Sequence, residues 1–252
     1  MAVGKGVLLA AGRGTRLGAL TAHTPKPLLE VAGKPLIAHI VGGLAKAGVR
    51  EFIVVAGYLA EQVERWCADF DAANAGITTQ AVRQPELNGT GGAMLAARDL
   101  LANVDRFIFG WGDILMDPAN YPRFVTEANR QNYDLLLCVN AMDDPWRGAA
   151  VYVDAEMRVE KVIEKPPRGT SSTPWNNAGL FATSQKIFDY IDRLKPSARG
   201  ELELPQAMDM MIADKNVVRA VALRGFWSDV GTPEDLEAAR RHFAGKSAPH
   251  ER

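Results

Sequence analysis

Short apolar runs alternate with helix-period segments through the first 110 residues, and this alternation leaves the chain few folds to choose from. Val7–Ala10 reads as a first strand. Pro35–Lys46 places Leu36, Ile37, Ile40, Val41 and Leu44 on one helical face, and Gly48 stops it. Phe52–Ala56 is a second strand, and Ala60–Phe70 a helix with Val63, Trp66, Cys67 and Phe70 turned inward. Thr78–Val82 is a short strand, Gly92–Leu101 a helix, and Arg106–Gly110 a strand that ends at Gly112-Asp113. Such alternation builds a mostly parallel sheet with right-handed crossovers.

The second half is less regular. Tyr121–Asn132 reads as a helix and Asp134–Asn140 as a strand. Ala149–Val153 and Val159–Ile163 alternate like a hairpin, and Lys165–Trp175 reads as a mobile surface loop. Leu180–Thr183 is a strand, Ser184–Leu194 a serine-capped helix and Leu204–Asp214 a methionine-rich helix that packs the core. Val217–Leu223 is a strand, Glu234–Phe243 a last amphipathic helix and Ser247–Arg252 a frayed tail. No linker or repeat divides the 252 residues. The expectation is one domain over 1–244, with halves at about 1–115 and 116–235 and a flexible tail over 245–252.

Leu9 to Leu17 reads Leu-Ala-Ala-Gly-Arg-Gly-Thr-Arg-Leu, directly after the first strand. Glycines let backbone N–H groups approach phosphate oxygens without a clash. The third glycine, Gly18, comes one residue too late for the dinucleotide fingerprint, and Pro25 and Pro27 forbid the long helix that fingerprint needs. No Gly-Lys-Ser or Gly-Lys-Thr follows, so the ATP-type phosphate loop is excluded. The loop is expected to continue as an extended basic segment. With Arg16 and Lys26 close behind, it points to a nucleoside triphosphate.

A net charge of −1 implies no broad basic face for nucleic acid. Cys67 and Cys138 lie in apolar runs and read as buried thiols. No apolar run reaches the roughly 20 residues of a membrane span, and no signal peptide precedes the first strand. A cytoplasmic protein with no membrane partner is expected.

In open parallel sheets ligands sit beyond the carboxyl ends of the strands. Asp113 follows one strand, and Asp229 lies in Trp227-Ser228-Asp229-Val230-Gly231-Thr232. Two carboxylates there suit one Mg²⁺, whose octahedron substrate phosphates and waters complete. Gln84 offers an amide that donates and accepts, as reading a base edge requires. Lys165 suits a second anion, and Asn177 a sugar hydroxyl or a turn. Glu201 and Glu203 flank a helix start, and Glu203 reads as solvated. His23, His39, His242 and His250 have no serine or cysteine partner that sequence can place, and no general base is evident. A phosphate dianion needs none, because positioning and charge neutralisation carry its attack.

These pieces together resemble the sugar-1-phosphate nucleotidyltransferases, also called nucleotide-sugar pyrophosphorylases. The matching motifs are Leu9–Leu17, Thr24–Leu28, Gly33–Ile37, Gly89–Thr90, Gly112–Asp113, Glu164–Pro166, Asn177–Gly179 and Trp227–Thr232, in family order. The resemblance implies a Rossmann-like α/β three-layer sandwich with a mostly parallel mixed sheet, of the nucleotide-diphospho-sugar transferase type. It implies Mg²⁺-dependent reaction of a nucleoside triphosphate with a sugar 1-phosphate, giving a nucleotide sugar and pyrophosphate. By motif, Leu9, Ala11, Gly12, Gly14 and Thr15 would cradle the triphosphate. Arg16 would stabilise the leaving pyrophosphate, and Lys26 the reacting phosphates. Gln84 and Gly89 would read the base, and Asp113 and Asp229 would bind Mg²⁺. Lys165 would hold the sugar phosphate, with Gly148, Glu164, Asn177, Glu201 and Trp227 lining the sugar pocket.

Two segments depart from the family. Arg147-Gly148-Ala149-Ala150 stands where members often show an aromatic-Gly-Val run, and Glu201 continues Leu-Glu-Leu-Pro-Gln where many carry Thr-Asp. Both fall in the sugar half, so the sugar stays open. The chain stops soon after its final helix, so neither the left-handed β-helix of some members nor its acetyltransferase activity is expected. Gln84 favours UTP or dTTP. Guanylyl or cytidylyl transfer to another phosphorylated acceptor, and a non-catalytic nucleotide-sugar-binding protein, remain the alternatives.

Overall fold

The computed structural model describes residues 2–245, so the expected tail lies outside the described residues from 246 on. β1 (Lys5–Ala10) leads through two 3₁₀ turns, Thr15–Thr21 and Lys26–Leu28, to a two-residue hairpin of β2 (Glu30–Val31) and β3 (Lys34–Pro35). α1 (Leu36–Lys46) crosses to β4 (Glu51–Ala56), and α2 (Ala60–Ala73) to β5 (Thr78–Arg83). α3 (Thr90–Ala96) and α4 (Arg98–Leu101), expected as one helix, lead to β6 (Arg106–Trp111). β6, β1, β4 and β5 lie side by side and all run parallel.

The segment after the glycine loop is not extended, contrary to expectation. Proline's fixed φ forbids a long α-helix but suits a short 3₁₀ turn, and Lys26–Leu28 takes it. Buried Leu17 holds the first turn down, packed in a small cluster with Leu29, Val31, Leu115, Val230 and Leu236. This cluster fastens the glycine loop to the C-terminal part of the chain.

β7 (Leu115–Met116) is followed by α5 (Asn120–Ala128), shorter than expected, then β8 (Leu135–Ala141), β9 (Ala149–Val153) and β10 (Val159–Glu164). β11 (Trp175–Ser184) organises the second half. Its C-terminal half pairs antiparallel with β6 on one side and β8 on the other. Its N-terminal half runs past the end of β6 and meets β9 at Asn176–Ala150. A bulge between Asn177 and Phe181 marks the switch. The sheet therefore forks beyond Trp111, and the fork opens a hollow.

α6 (Lys186–Ile191) and α7 (Leu204–Ala213) precede β12 (Val218–Ala222), which extends the sheet parallel to β8. Ser184 does not cap α6. Gln185 is the N-cap and sends its amide to the Leu101 carbonyl, while Ser184 Oγ accepts only a long bond, 3.4 Å, from Lys186 N–H. β13 (Trp227–Ser228) pairs with β7. α8 (Pro233–Ala244) opens on a capping box in which Thr232 Oγ1 accepts from Asp235 N–H at 3.2 Å and Asp235 accepts from Thr232 N–H at 2.9 Å.

β1 shows why the sheet is buried on both faces. Val7 and Leu9 point into one layer with Met94, Phe107, Phe181 and Met208, whereas Leu8 and Ala10 point into the other with Ile37, Phe52, Val63 and Phe124. Helices thus cover both faces and make three layers. Both cysteines are buried.

Candidate active site

Three adjoining hollows of about 470, 1120 and 590 Å³ lie beyond the carboxyl ends of β1 and β6 and along the fork of β11. Asp113 and Glu201 line all three. Glu201 therefore stands at the junction, not in the expected sugar pocket alone.

The smallest hollow joins the glycine loop to Gln84. Leu9, Ala11, Gly12, Gly14, Thr15 and Gly89 all border it. The backbone N–H groups of Gly12 to Gly14 find no acceptor among the described residues, so they remain free to bond an anion. Gln84 is buried, and its amide N–H₂ donates to Asn88 Oδ1 at 3.1 Å and to the Gly89 carbonyl at 3.2 Å. Both donors are spent on the loop, so the side chain faces a ligand only as an acceptor. Gly89 adopts a φ of 101°, and a methyl there would meet the Leu202 carbonyl oxygen at 2.6 Å. That contact belongs to a zipper. Leu202 N–H donates to the Asn88 carbonyl and Gly91 N–H to the Leu202 carbonyl, each at 2.7 Å. The 88–91 segment is thereby stitched to the loop carrying Arg199, Glu201 and Glu203.

The largest hollow contains Arg16, Lys26 and Asp113. Lys26 is buried, and its Nζ donates to Asp113 Oδ2 at 2.6 Å and to the Asp229 carbonyl at 2.9 Å. The turns carrying the two aspartates, far apart in sequence, thus converge on one ammonium group. Burial first, and then the Asp113 charge, raise the Asp229 carboxyl above its ordinary value, while Lys26 and Arg16 pull it down. Val230 beside it holds a φ of 42°, rare for a β-branched residue and a strain of about 1–3 kcal/mol. The Arg16 guanidinium lies against Gly231, where a methyl would come within 3.1 Å of it. A cation between these carboxylates would relieve their repulsion. No cluster of three metal-binding side chains exists among the described residues, so any metal here must complete its shell with substrate and water.

The third hollow takes Glu164, Lys165, Asn177, Gly148 and Trp227. Asn177 is buried. Its Oδ1 accepts from Gly179 N–H at 3.1 Å, which leaves Nδ2 without a partner among the described residues. Trp227 Nε1–H donates to the Ala178 carbonyl at 2.9 Å, so the ring, not its polar edge, is offered. A methyl on Gly148 would collide with Asn176 Oδ1. Lys165 sits at a φ of 44°, with its N–H on the Gly148 carbonyl at 2.8 Å and its Nζ 3.9 Å from Glu164. Glu203 is not solvated, contrary to expectation. It is 7% exposed and pairs with Arg199 at 2.9 Å, because the loop before α7 folds inward to reach the 88–91 segment. Thr90, from the Gly89–Thr90 motif, also borders this hollow, as do Trp111 and Asn140, which carried no sequence signal because each reads as an ordinary strand residue.

Burial raises the Glu164 carboxyl to about 7, against an ordinary 4.5; Lys165 opposes the rise and Glu203 adds to it. A raised acid binds its proton more tightly when folded. Its favourable contribution is complete below pH about 4.5 and is lost as pH climbs through about 7. Glu164→Gln should therefore gain stability over the parent between pH 4.5 and 7, by up to about 3 kcal/mol, and then level off. Urea titrations across that window check it, and a pH-independent difference would contradict it.

A family model described as nucleotidyl transferase matches residues 5–245. Bifunctional protein GlmU of Methanococcus maripaludis is 29% identical over 95% of this chain and 54% of its own length. The chain thus spans about half the length of such relatives. UTP–glucose-1-phosphate uridylyltransferase AglF of Haloferax volcanii is 30% identical over 94% of this chain and 95% of its own. Among solved structures, a putative glucose-1-phosphate thymidylyltransferase from Bacillus anthracis, in complex with a sucrose, superposes with a TM-score of 0.84 at 26% identity, covering 98% of this chain and 97% of that one. A UDP-glucose pyrophosphorylase complexed with UDP-glucose shares the fold with a TM-score of 0.87 at 20% identity, covering 97% of this chain and 99% of that one. No helix among the described residues is long and apolar enough to cross a membrane.

Proposed function

We propose, for a chain that belongs to the nucleotidyl transferase family, that it transfers a nucleotidyl group from UTP or dTTP to a sugar 1-phosphate and releases pyrophosphate. One observation carries the reading: a base-side hollow, a cationic hollow and a sugar-side hollow meet at Asp113. Two anionic substrates can be brought end to end there.

In the reaction an oxygen of the sugar phosphate attacks the α-phosphorus. The bond from that phosphorus to the bridging oxygen breaks, and its electron pair leaves on pyrophosphate. The phosphate dianion is already a nucleophile, so no proton needs to be taken. Lys165 holds the sugar phosphate for in-line attack. The Gly12–Gly14 amides and Arg16 take up the charge that grows on the leaving group. Lys26 keeps the Asp113 and Asp229 turns in register with two of its three N–H donors, and the third is left for a phosphate oxygen. Asp113 and Asp229 would hold Mg²⁺, which when bound neutralises phosphate charge and polarises the α-phosphate. Gln84 Oε1 accepts from the N3–H of uracil or thymine. The names of the uridylyl- and thymidylyltransferase relatives support that choice.

A pyrophosphate-release assay over a matrix of nucleoside triphosphates and sugar 1-phosphates with Mg²⁺ tests the proposal. Release should need both substrates and be fastest with UTP or dTTP and a hexose or amino-sugar 1-phosphate. Silence across the matrix would end it. Gln84→Ala should flatten the preference among bases more than it slows the best pair. An unchanged base ranking would remove Gln84 from base reading.

A further inference from the structure

Trp146, Arg147 and Arg168 line the largest hollow together with the glycine loop, and the proposed reaction gives these three no role. Arg147 and Arg168 both lie over the ring of Trp146, at 5.1 and 5.7 Å from its centroid. Neither guanidinium has a carboxylate within ion-pair distance among the described residues. Two hydrogen bonds bind the loops that carry them. Asp144 Oδ2 accepts from Gly169 N–H at 2.8 Å, and Lys165 N–H donates to the Gly148 carbonyl at 2.8 Å. Asp144 is thereby turned toward the backbone and does not neutralise its arginine neighbours. Trp146, Arg147 and Arg168 thus form one braced unit: an indole shelf that holds two guanidinium groups in the lining of this hollow.

Charge decides what this unit serves. The hollow it shares with the glycine loop carries six cationic side chains against Asp113 and Glu201. In the sugar-side hollow acidic side chains outnumber basic ones, which disfavours an acidic sugar. Arg168 borders only the cationic hollow, and Arg147 stands where that hollow meets the sugar side. We infer that Arg147 and Arg168 grip the terminal phosphates of the triphosphate, and hence the departing pyrophosphate, in the hollow they share with the glycine loop. The inference rests on the proposed transfer reaction for its meaning. Its ligand chemistry, a diphosphate or triphosphate chain, stands on the charge of the hollow.

Inorganic pyrophosphate with Mg²⁺ is the probe, since it has neither base nor sugar. Isothermal titration of the full chain should show its affinity falling about tenfold in Arg147→Ala and in Arg168→Ala, the size of one lost charge-assisted hydrogen bond at an exposed site. The double variant should fall about a hundredfold if the two act independently. UMP or dTMP, which lacks the terminal phosphates, should bind all variants alike. Arg65→Ala, which removes the same charge from the exposed face of α2, should bind pyrophosphate like the parent. Unchanged pyrophosphate binding in the double variant would overturn the inference. So would an equal loss for the monophosphate, or a loss seen only in the KM for the sugar 1-phosphate, which would assign the arginines to the acceptor. Binding is measured without turnover, so even a chain that proved inactive in the assay matrix would reveal whether these two arginines hold pyrophosphate.

Discussion

Asp113→Asn and Asp229→Asn are each expected to lower kcat by about 10³-fold while the protein stays folded, a loss of about 4 kcal/mol in transition-state stabilisation. Asparagine keeps the shape and one acceptor oxygen. Lys26 can still donate to position 113, and its bond to the 229 carbonyl is untouched. What disappears is the negative charge that would draw a divalent cation to the turn. In Asp113→Asn the neighbouring charge that helps raise Asp229 is also gone, so that carboxyl should titrate nearer its ordinary value, although burial still holds it up. Asp229→Asn should melt close to the parent, whereas Asp113→Asn should lose about 1–2 kcal/mol, because buried Lys26 keeps an acceptor there but loses its ion-pair partner. Removing Mg²⁺ from the parent with a chelator should reproduce the loss, and excess Mg²⁺ should restore the parent but not the variants. Near-parental turnover of either variant at limiting Mg²⁺ would refute the assignment of these carboxylates.

The glycine-loop side of this arrangement is legible in the sequence because its signals are local. A strand, a glycine loop and two prolines occupy consecutive positions, and the buried parallel strands read as apolar runs. The fork of β11 leaves no such trace. It depends on a bulge at Asn177–Phe181 and on where β6 ends, both of which are tertiary facts. Leu180–Thr183 is visible as a strand because it packs in the core, while Trp175–Asn177 has a polar edge that hides its pairing. The two-residue pairs β2–β3 and β7–β13 are too short for any periodicity to show. Glu203 departs from its expected solvated place for a related reason. A charged residue ahead of a helix is commonly solvated, and only the stitching of Leu202 to Asn88 and Gly91 draws this one inward to Arg199. Sequence motifs point to the ligands one by one. That Asp113 and Glu201 border all three hollows emerges only from the fold.

Lys26→Met should damage both stability and turnover, and the pH dependence separates the two. Methionine matches the length of the stem but carries no charge. Asp113, about one-third exposed, loses its direct partner, and half-buried Asp229 loses a cation that lowers its carboxyl. Removing one member of a buried pair costs about 3–5 kcal/mol when both are dry; water at Asp113 should reduce that to about 2 kcal/mol at neutral pH. For a chain of this length the melting temperature should drop by about 4–8 °C. The sign follows from the direction of the Asp229 shift. Its carboxyl is already raised and would rise further, so the deficit is present where the group is ionised and shrinks as acidification protonates it. Turnover should fall by about 10³-fold at every pH, because protonating Asp229 relieves strain but supplies no cation. Lys26→Arg should rescue little. The Lys26 stem passes the backbone of Gly14 so closely that even a methyl there would lie 3.1 Å from its Cβ, and a planar five-donor fork does not fit a buried slot shaped for a single ammonium. A Lys26→Met protein that melts with the parent across the range from about pH 5 to about pH 8 and turns over at a comparable rate would show that the ammonium is a bystander, and the geometry at Asp113 and Asp229 would need another organiser.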